Sequence, residues 1–142
     1  MSILEYTHIG GKGLNLVKIF KTLGDENRLR IINLLTRQEL CVCEIETILG
    51  ITQSNASRHL IKLKNAGIIT FKKQSQWVKY EISSGFGEVC QLLYKFIVDE
   101  MSNIPQLMED TKKLEKYKCS TFTCKNIRED KDKVTKFLEG SK

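Results

Sequence analysis

Histidine and proline are nearly missing from this chain, which has two of the former and one of the latter in 142 residues. Two histidines, His8 and His59, are too few for a histidine-rich metal site. The single proline, Pro105, suits a first helical turn but not a helix interior, so it marks a kink or a restart. No apolar run approaches the roughly 20 residues that cross a bilayer, so no membrane partner is expected. The opening MSILEYTHIGGKG lacks a basic start followed by an apolar core, so no signal peptide is expected. A cytoplasmic location follows, where thiols stay reduced. Five cysteines are an odd number and argue against a closed disulfide framework. They serve either core packing or metal and redox chemistry.

What is present is globular in character, with 41% apolar and 28% charged residues. The length fits one domain with a buried core. The net charge of +6 favours nucleic acid or another anionic surface as partner.

Residues 1–13 read as a flexible arm, because Gly10, Gly11 and Gly13 disfavour regular structure. From Leu14 to Leu23 apolar residues recur at helical spacing, and Gly24 ends the run. Asp25 caps a second helix carrying Leu29, Ile31, Ile32, Leu34 and Leu35. A third short helix runs from about Cys43 to Leu49 and stops at Gly50. Thr52 caps a fourth, from Gln53 to about Ala66, with Gly67 as its stop. Ile68 to Lys72 and Trp77 to Ile82 read as a β-hairpin around Lys73-Gln74-Ser75-Gln76, without the strongest turn pair, Asn-Gly. A long helix is expected from Phe86 to about Met101, and the apolar pattern continues to Leu114. After Lys118 come a polar loop, Cys119 to Cys124, and a charged segment of weak periodicity (Ile127, Val134, Phe137, Leu138). The division is an arm over 1–13, a winged helix-turn-helix domain with dimerisation helices over 14–118, and a cysteine-containing basic tail over 119–142.

Two short helices, a glycine turn and a helix that begins with small polar residues describe a helix-turn-helix. Gln53, Ser54, Asn55 and Ser57 are small enough to enter a major groove and hydrogen-bond to base edges. Arg58 and His59 are placed for phosphate or guanine, and the helix N-terminus itself favours a phosphate. Lys72, Lys73 and Lys79 make the hairpin a basic wing for the DNA backbone.

LGDENRLRIINLL, ELCVCEIETILGI, TQSNASRHLIKLKNAGII and WVKYEI, in that order over about residues 14–100, resemble the ArsR/SmtB family of winged-helix metal-sensing repressors. The resemblance implies a mainly α fold with a β-hairpin wing. It implies a homodimer that binds double-stranded operator DNA of two-fold symmetry and releases it when a metal or metalloid binds. The opening helix and the helix from Phe86 would form the dimer interface, in keeping with apolar faces too wide for one monomer core.

ELCVCEI is similar to the arsenical-sensing motif of that family, which assigns Cys41 and Cys43 as ligands. Thiolates are soft donors and select soft ions. Arsenic(III) and antimony(III) favour three sulfurs, and they are the expected inducers; no organic cofactor is expected. The family's arsenical sensors place a third cysteine where this chain has Glu46, so the third sulfur would come from Cys119 or Cys124. Cys90 falls in an apolar stripe and reads as packing. On a regular helix, residues two apart point to nearly opposite sides. One ion holding Cys41 and Cys43 would therefore distort the first turn of the third helix, which packs on the reader.

Cadmium, lead or zinc remains an alternative, with Cys41, Cys43, Cys119 and Cys124 as four ligands. The histidine-containing site that the family uses on its last helix has no counterpart between Phe86 and Met101. A thiol-redox switch of the Cys41–Cys124 type is another alternative. A small cysteine enzyme is remote: Lys125, not arginine, stands six residues after Cys119, and no acid-base partner adjoins a cysteine.

Overall fold

The computed structural model describes residues 15–140. The arm over 1–13 therefore lies outside the described residues. Helix α1 spans Leu16–Leu23, with Asn15 accepting a hydrogen bond from the Lys18 amide at 2.9 Å. Helix α2 spans Glu26–Leu35 and is capped by Asp25, whose carboxylate accepts from the Arg28 amide at 3.1 Å. Ile31, Ile32, Leu34 and Leu35 are buried and place α2 at the centre of the core. Helix α3 spans Val42–Leu49 and α4 spans Gln53–Asn65. Gly50 joins them in the left-handed conformation, φ 70°, which a side chain would strain. Thr52 caps α4 by accepting from the Asn55 amide at 3.1 Å.

Strands β1, Ile69–Gln74, and β2, Trp77–Ile82, pair antiparallel in the register Ile69↔Ile82 through Gln74↔Trp77. The pairing runs further than the expected four-residue connection, leaving a two-residue turn at Ser75-Gln76. Ser75 takes a positive φ of 56°, the conformation a tight hairpin turn needs. Leu40, ahead of α3, adds a short third rung: its amide donates to Tyr80 O at 3.1 Å and its carbonyl accepts from Tyr80 N at 2.8 Å.

The single long helix expected from Phe86 is interrupted. A π turn covers Gly85–Val89, Cys90 leaves helical geometry, and α5 spans Gln91–Met101. The wider turn rotates the apolar stripe. Phe86 is thereby fully buried, edge-on to Tyr94 with ring centroids 5.9 Å apart. Cys90 is half-buried against the core, as its apolar stripe implies. Leu92 and Phe96 on α5, and Leu16, Val17 and Phe20 on α1, stay exposed in the single chain.

Helix α6, Pro105–Cys119, starts with proline in its first turn. It is tied to α2 by a buried ion pair: Arg30 donates to both Asp110 oxygens at 2.8 and 3.0 Å, and to Leu49 O at 2.9 Å. The segment after it, expected as a polar loop and a weakly periodic close, forms two further helices. These are α7, Cys124–Glu129, and α8, Lys131–Glu139, with Asp130 capping the second. Ile127, Val134 and Leu138 are buried against α3 and α6. The periodicity looks weak in sequence because it is split between two short helices that change direction at Asp130.

Candidate metal centre and nucleic-acid interface

Cys41 is the N-cap of α3, in extended conformation (φ −80°, ψ 163°), while Cys43 lies in the first helical turn. Because Cys41 stands outside the helix, the opposite-sides rule does not bind the pair. Their sulfurs lie within 4.8 Å of each other with the first turn intact, so the geometric premise for a distorted turn does not hold here. Cys124, the first residue of α7, is carried to the same place by the burial of Ile127 on α3. Its Sγ lies 2.6 Å from Cys41 Sγ. The Sγ atoms of Cys41, Cys43 and Cys124 all lie within 4.8 Å of one another. Cys119, also expected as a ligand, is exposed at the end of α6 and outside this group. The cause is helical: α6 carries its last residue past the site, and the chain turns back only at Thr123.

The sulfurs are held in unequal protonation states. Hydrogen bonds from Cys124 first, and from Cys41, push the Cys43 pKa down to about 4, against burial and the carboxylates of Glu44 and Glu46. Cys124 is pushed well above the ordinary thiol range, first by its contact with Cys41, then by Cys43 and burial. The Cys124 contact pulls Cys41 down, but Cys43 and burial outweigh it and the net shift is upward. One thiolate is therefore shared among three sulfurs, with two protons to lose.

Around them lies a network of groups that local pattern does not single out. Glu44 is buried and accepts from the Cys41 amide at 2.9 Å, from Lys79 Nζ at 3.2 Å and from Tyr117 OH at 2.6 Å. Tyr117 is pushed far above the phenol range by burial, then by that carboxylate. Burial alone would lower Lys79, but Glu44, Cys41 and Cys124 raise it. Glu46 Oε1 accepts from Lys131 Nζ at 2.9 Å, whereas its buried Oε2 has no hydrogen-bond partner among the described residues. Beside the sulfurs opens a cleft of about 360 Å³ lined by Glu46, Trp77, Ile127 and Arg128, which also reaches Gln53. Arg128 of α7 stacks on the wing's Trp77, its guanidinium carbon 4.6 Å from the ring centroid.

On the reading side, Gln53, Ser54 and Arg58 are exposed on α4, and Asn55 and Ser57 are half-buried. Arg58 donates to Asn55 Oδ1 at 2.8 Å. His59, expected among the DNA contacts, points inward instead: it is 3% exposed, with Nδ1 3.3 Å from Arg28 Nη1 and 4.0 Å from Asp25. Helical spacing puts it on the inner side with Leu60 and Leu63. Lys79 is likewise turned from the expected DNA contact toward Glu44, because it shares a β2 face with the sulfur site. Lys73 is exposed, and Lys72 pairs with Glu39 at 2.8 Å.

A glycine-turned helix pair followed by a two-stranded wing defines a winged helix-turn-helix fold. Residues 25–70, about a third of the chain, match the family described as "Bacterial regulatory protein, arsR family". It is similar to the arsenic resistance transcriptional regulator ArsR1 of Pseudomonas putida, 38% identical over 82 residues, which cover 57% of this chain and 64% of that protein. It is also similar to the arsenical resistance operon repressor of Escherichia coli, 44% identical over 68 residues, 47% of this chain and 58% of that protein. The chain thus spans about three-fifths of the length of these relatives. Among solved structures it resembles the homodimeric winged helix-turn-helix domain of a possible ArsR-family regulator from Mycobacterium bovis. That match has a TM-score of 0.52 and 29% identity, over 60% of this chain and 79% of that one. Among the described residues no helix is long and apolar enough to cross a membrane.

Proposed function

We propose that this protein is a cytoplasmic homodimeric repressor that binds two-fold operator DNA and releases it when arsenic(III) or antimony(III) binds Cys41, Cys43 and Cys124. The observation that carries this reading is the meeting of three sulfurs at the start of α3, one helix ahead of the reader. The donor set fits the ion: three soft, largely buried sulfurs suit a three-coordinate thiophilic centre. When bound, the ion would supply three sulfur bonds in place of the shared proton network. The exposed apolar faces of α1 and α5 support the dimer. Gln53, Ser54, Asn55, Ser57 and Arg58 would read the groove, with Lys72 and Lys73 on the backbone.

The coupling runs through this chain's own contacts. Loss of the thiol protons changes the charge that Lys79 faces and so rebalances its pairing with Glu44. Lys79 is on the wing, and Leu40, next to Cys41, is hydrogen-bonded to Tyr80 of the same strand. Cys124 brings Arg128 with it, and Arg128 sits on Trp77 at the wing's turn. Sensor, wing and last helices thus form one connected element whose two arrangements differ in fit to DNA.

A second reading is a sensor of divalent cadmium, lead or zinc, since the same three thiolates also suit those soft or borderline ions. The test is gel-shift release with Cys41→Ser. The variant should hold operator DNA and ignore arsenite. Normal release by arsenite would defeat the sensor assignment, and release by cadmium alone in the wild type would favour the second reading.

A further inference from the structure

Lys18, Lys21, Arg28 and Lys62, with Thr22 and Asn65, line an open notch of about 250 Å³ between α1 and the C-terminal half of α4. No acidic side chain is among its lining residues. Arg28 is held rigidly at its base: Nε donates to Thr22 O at 2.6 Å and Nη2 to Lys21 O at 3.5 Å. The carboxylate of Asp25 stands 4.0 Å from Arg28 Nη1. Among the described residues, Lys18, Lys21 and Lys62 form no ion pair. Four cations therefore converge with a single carboxylate, which pairs with Arg28, and the three lysines beside it repel one another unless an anion joins them.

The position of the notch identifies the anion. Ser54, Arg58 and Lys62 stand four residues apart and share one stripe of α4, all exposed. The notch is thus the far end of the reading face. From Ser54 to Lys62 the helix rises about 12 Å, roughly three to four base-pair steps along the duplex axis. The mouth is open rather than enclosed, which suits a passing strand better than a small captured ion. We propose that this notch holds phosphodiesters of the operator backbone, so that α1 contributes to DNA binding as well as the reader and wing. The proposal rests on the DNA-binding reading and adds a surface to it.

The test is the salt dependence of affinity, measured on the full chain with a duplex carrying its selected binding site and with a random duplex. Each phosphate no longer neutralised by a cation lowers the slope of log affinity against log salt by about 0.9. Lys18→Gln/Lys21→Gln/Lys62→Gln should therefore flatten the slope by up to about 2.7 per protomer on both duplexes. Each such phosphate makes the fall in affinity between about 50 and 200 mM salt roughly 3.5-fold smaller. Lys112→Gln/Lys133→Gln/Lys136→Gln removes the same charge from α6 and α8 and should leave the slope as in the wild type. Circular dichroism checks that both variants are folded. An unchanged slope in the notch variant, or equal flattening in the control, overturns the proposal while leaving the DNA-binding reading intact. A wild-type chain that binds neither duplex sinks both.

Discussion

Replacing Cys124 by alanine should change the chemistry of Cys43, several elements away in sequence order. Cys124 is the first of the groups that hold Cys43 at about 4, through a thiol hydrogen bond to the Cys43 sulfur. At neutral pH Cys43 is thereby held as thiolate, where an ordinary thiol would be mostly protonated. Alanine removes the donor that serine would keep, and Cys41 remains as a second, so Cys124→Ala should raise the Cys43 midpoint by at least about one unit without restoring the ordinary value. A bulk alkylation rate at one pH is a poor readout, because the more basic thiolate is also the better nucleophile and the two effects offset. The pH profile of Cys43 alkylation, located by mass spectrometry, reads the midpoint directly. The same variant loaded with arsenite should protect two sulfurs rather than three. Cys119→Ser, altering an exposed thiol outside the cluster, should match the wild type in both measurements. If Cys124→Ala keeps the wild-type profile and still protects three sulfurs, the convergence of sulfurs on α7 is wrong.

Two further outcomes concern stability. Asp110→Asn leaves Arg30 facing α6 without its counter-charge in a pair whose side chains are 1% and 12% exposed. It should cost about 3–5 kcal/mol, read as a lower urea midpoint with unchanged slope, and an effect under about 1 kcal/mol would refute it. The buried His59 has its pKa lowered from 6.5, first by burial, with Asp25 opposing and Arg58, Arg28 and Lys62 adding to the shift. The unfolded chain then binds the extra proton, so this contribution is full above about 6.5 and is lost as pH falls through the lower folded value. His59→Gln should reduce the drop in urea midpoint between pH 7 and about pH 5; an undiminished drop would place the acid sensitivity elsewhere.

The first four helices and the wing are legible in the sequence because each leaves a local mark. Asp25 and Thr52 cap, Gly50 and Gly67 stop, and Ile31, Leu34 and Leu35 repeat at helical spacing. The paired sulfurs of Cys41 and Cys43 are legible for the same reason. The choice between Cys119 and Cys124 is not. It depends on Ile127, Val134 and Leu138 docking on α3 and α6, a long-range event with no local trace. Residue type alone assigns His59 and Lys79 to DNA. Their actual directions follow from Arg28 and Glu44, 31 and 35 residues away. The break at Cys90 escapes the sequence because Phe86, Val89, Cys90 and Leu93 keep ordinary helical spacing across it.

The sulfur that completes the cluster lies 83 residues beyond the first, on a helix pair outside the matched family segment. On the proposed function, the matched segment holds the reader and two of the inducer ligands, and the third ligand is supplied from outside it. Exchanging the last two helices for others with different donors would retune what the switch answers to, while the promoter it serves stayed the same.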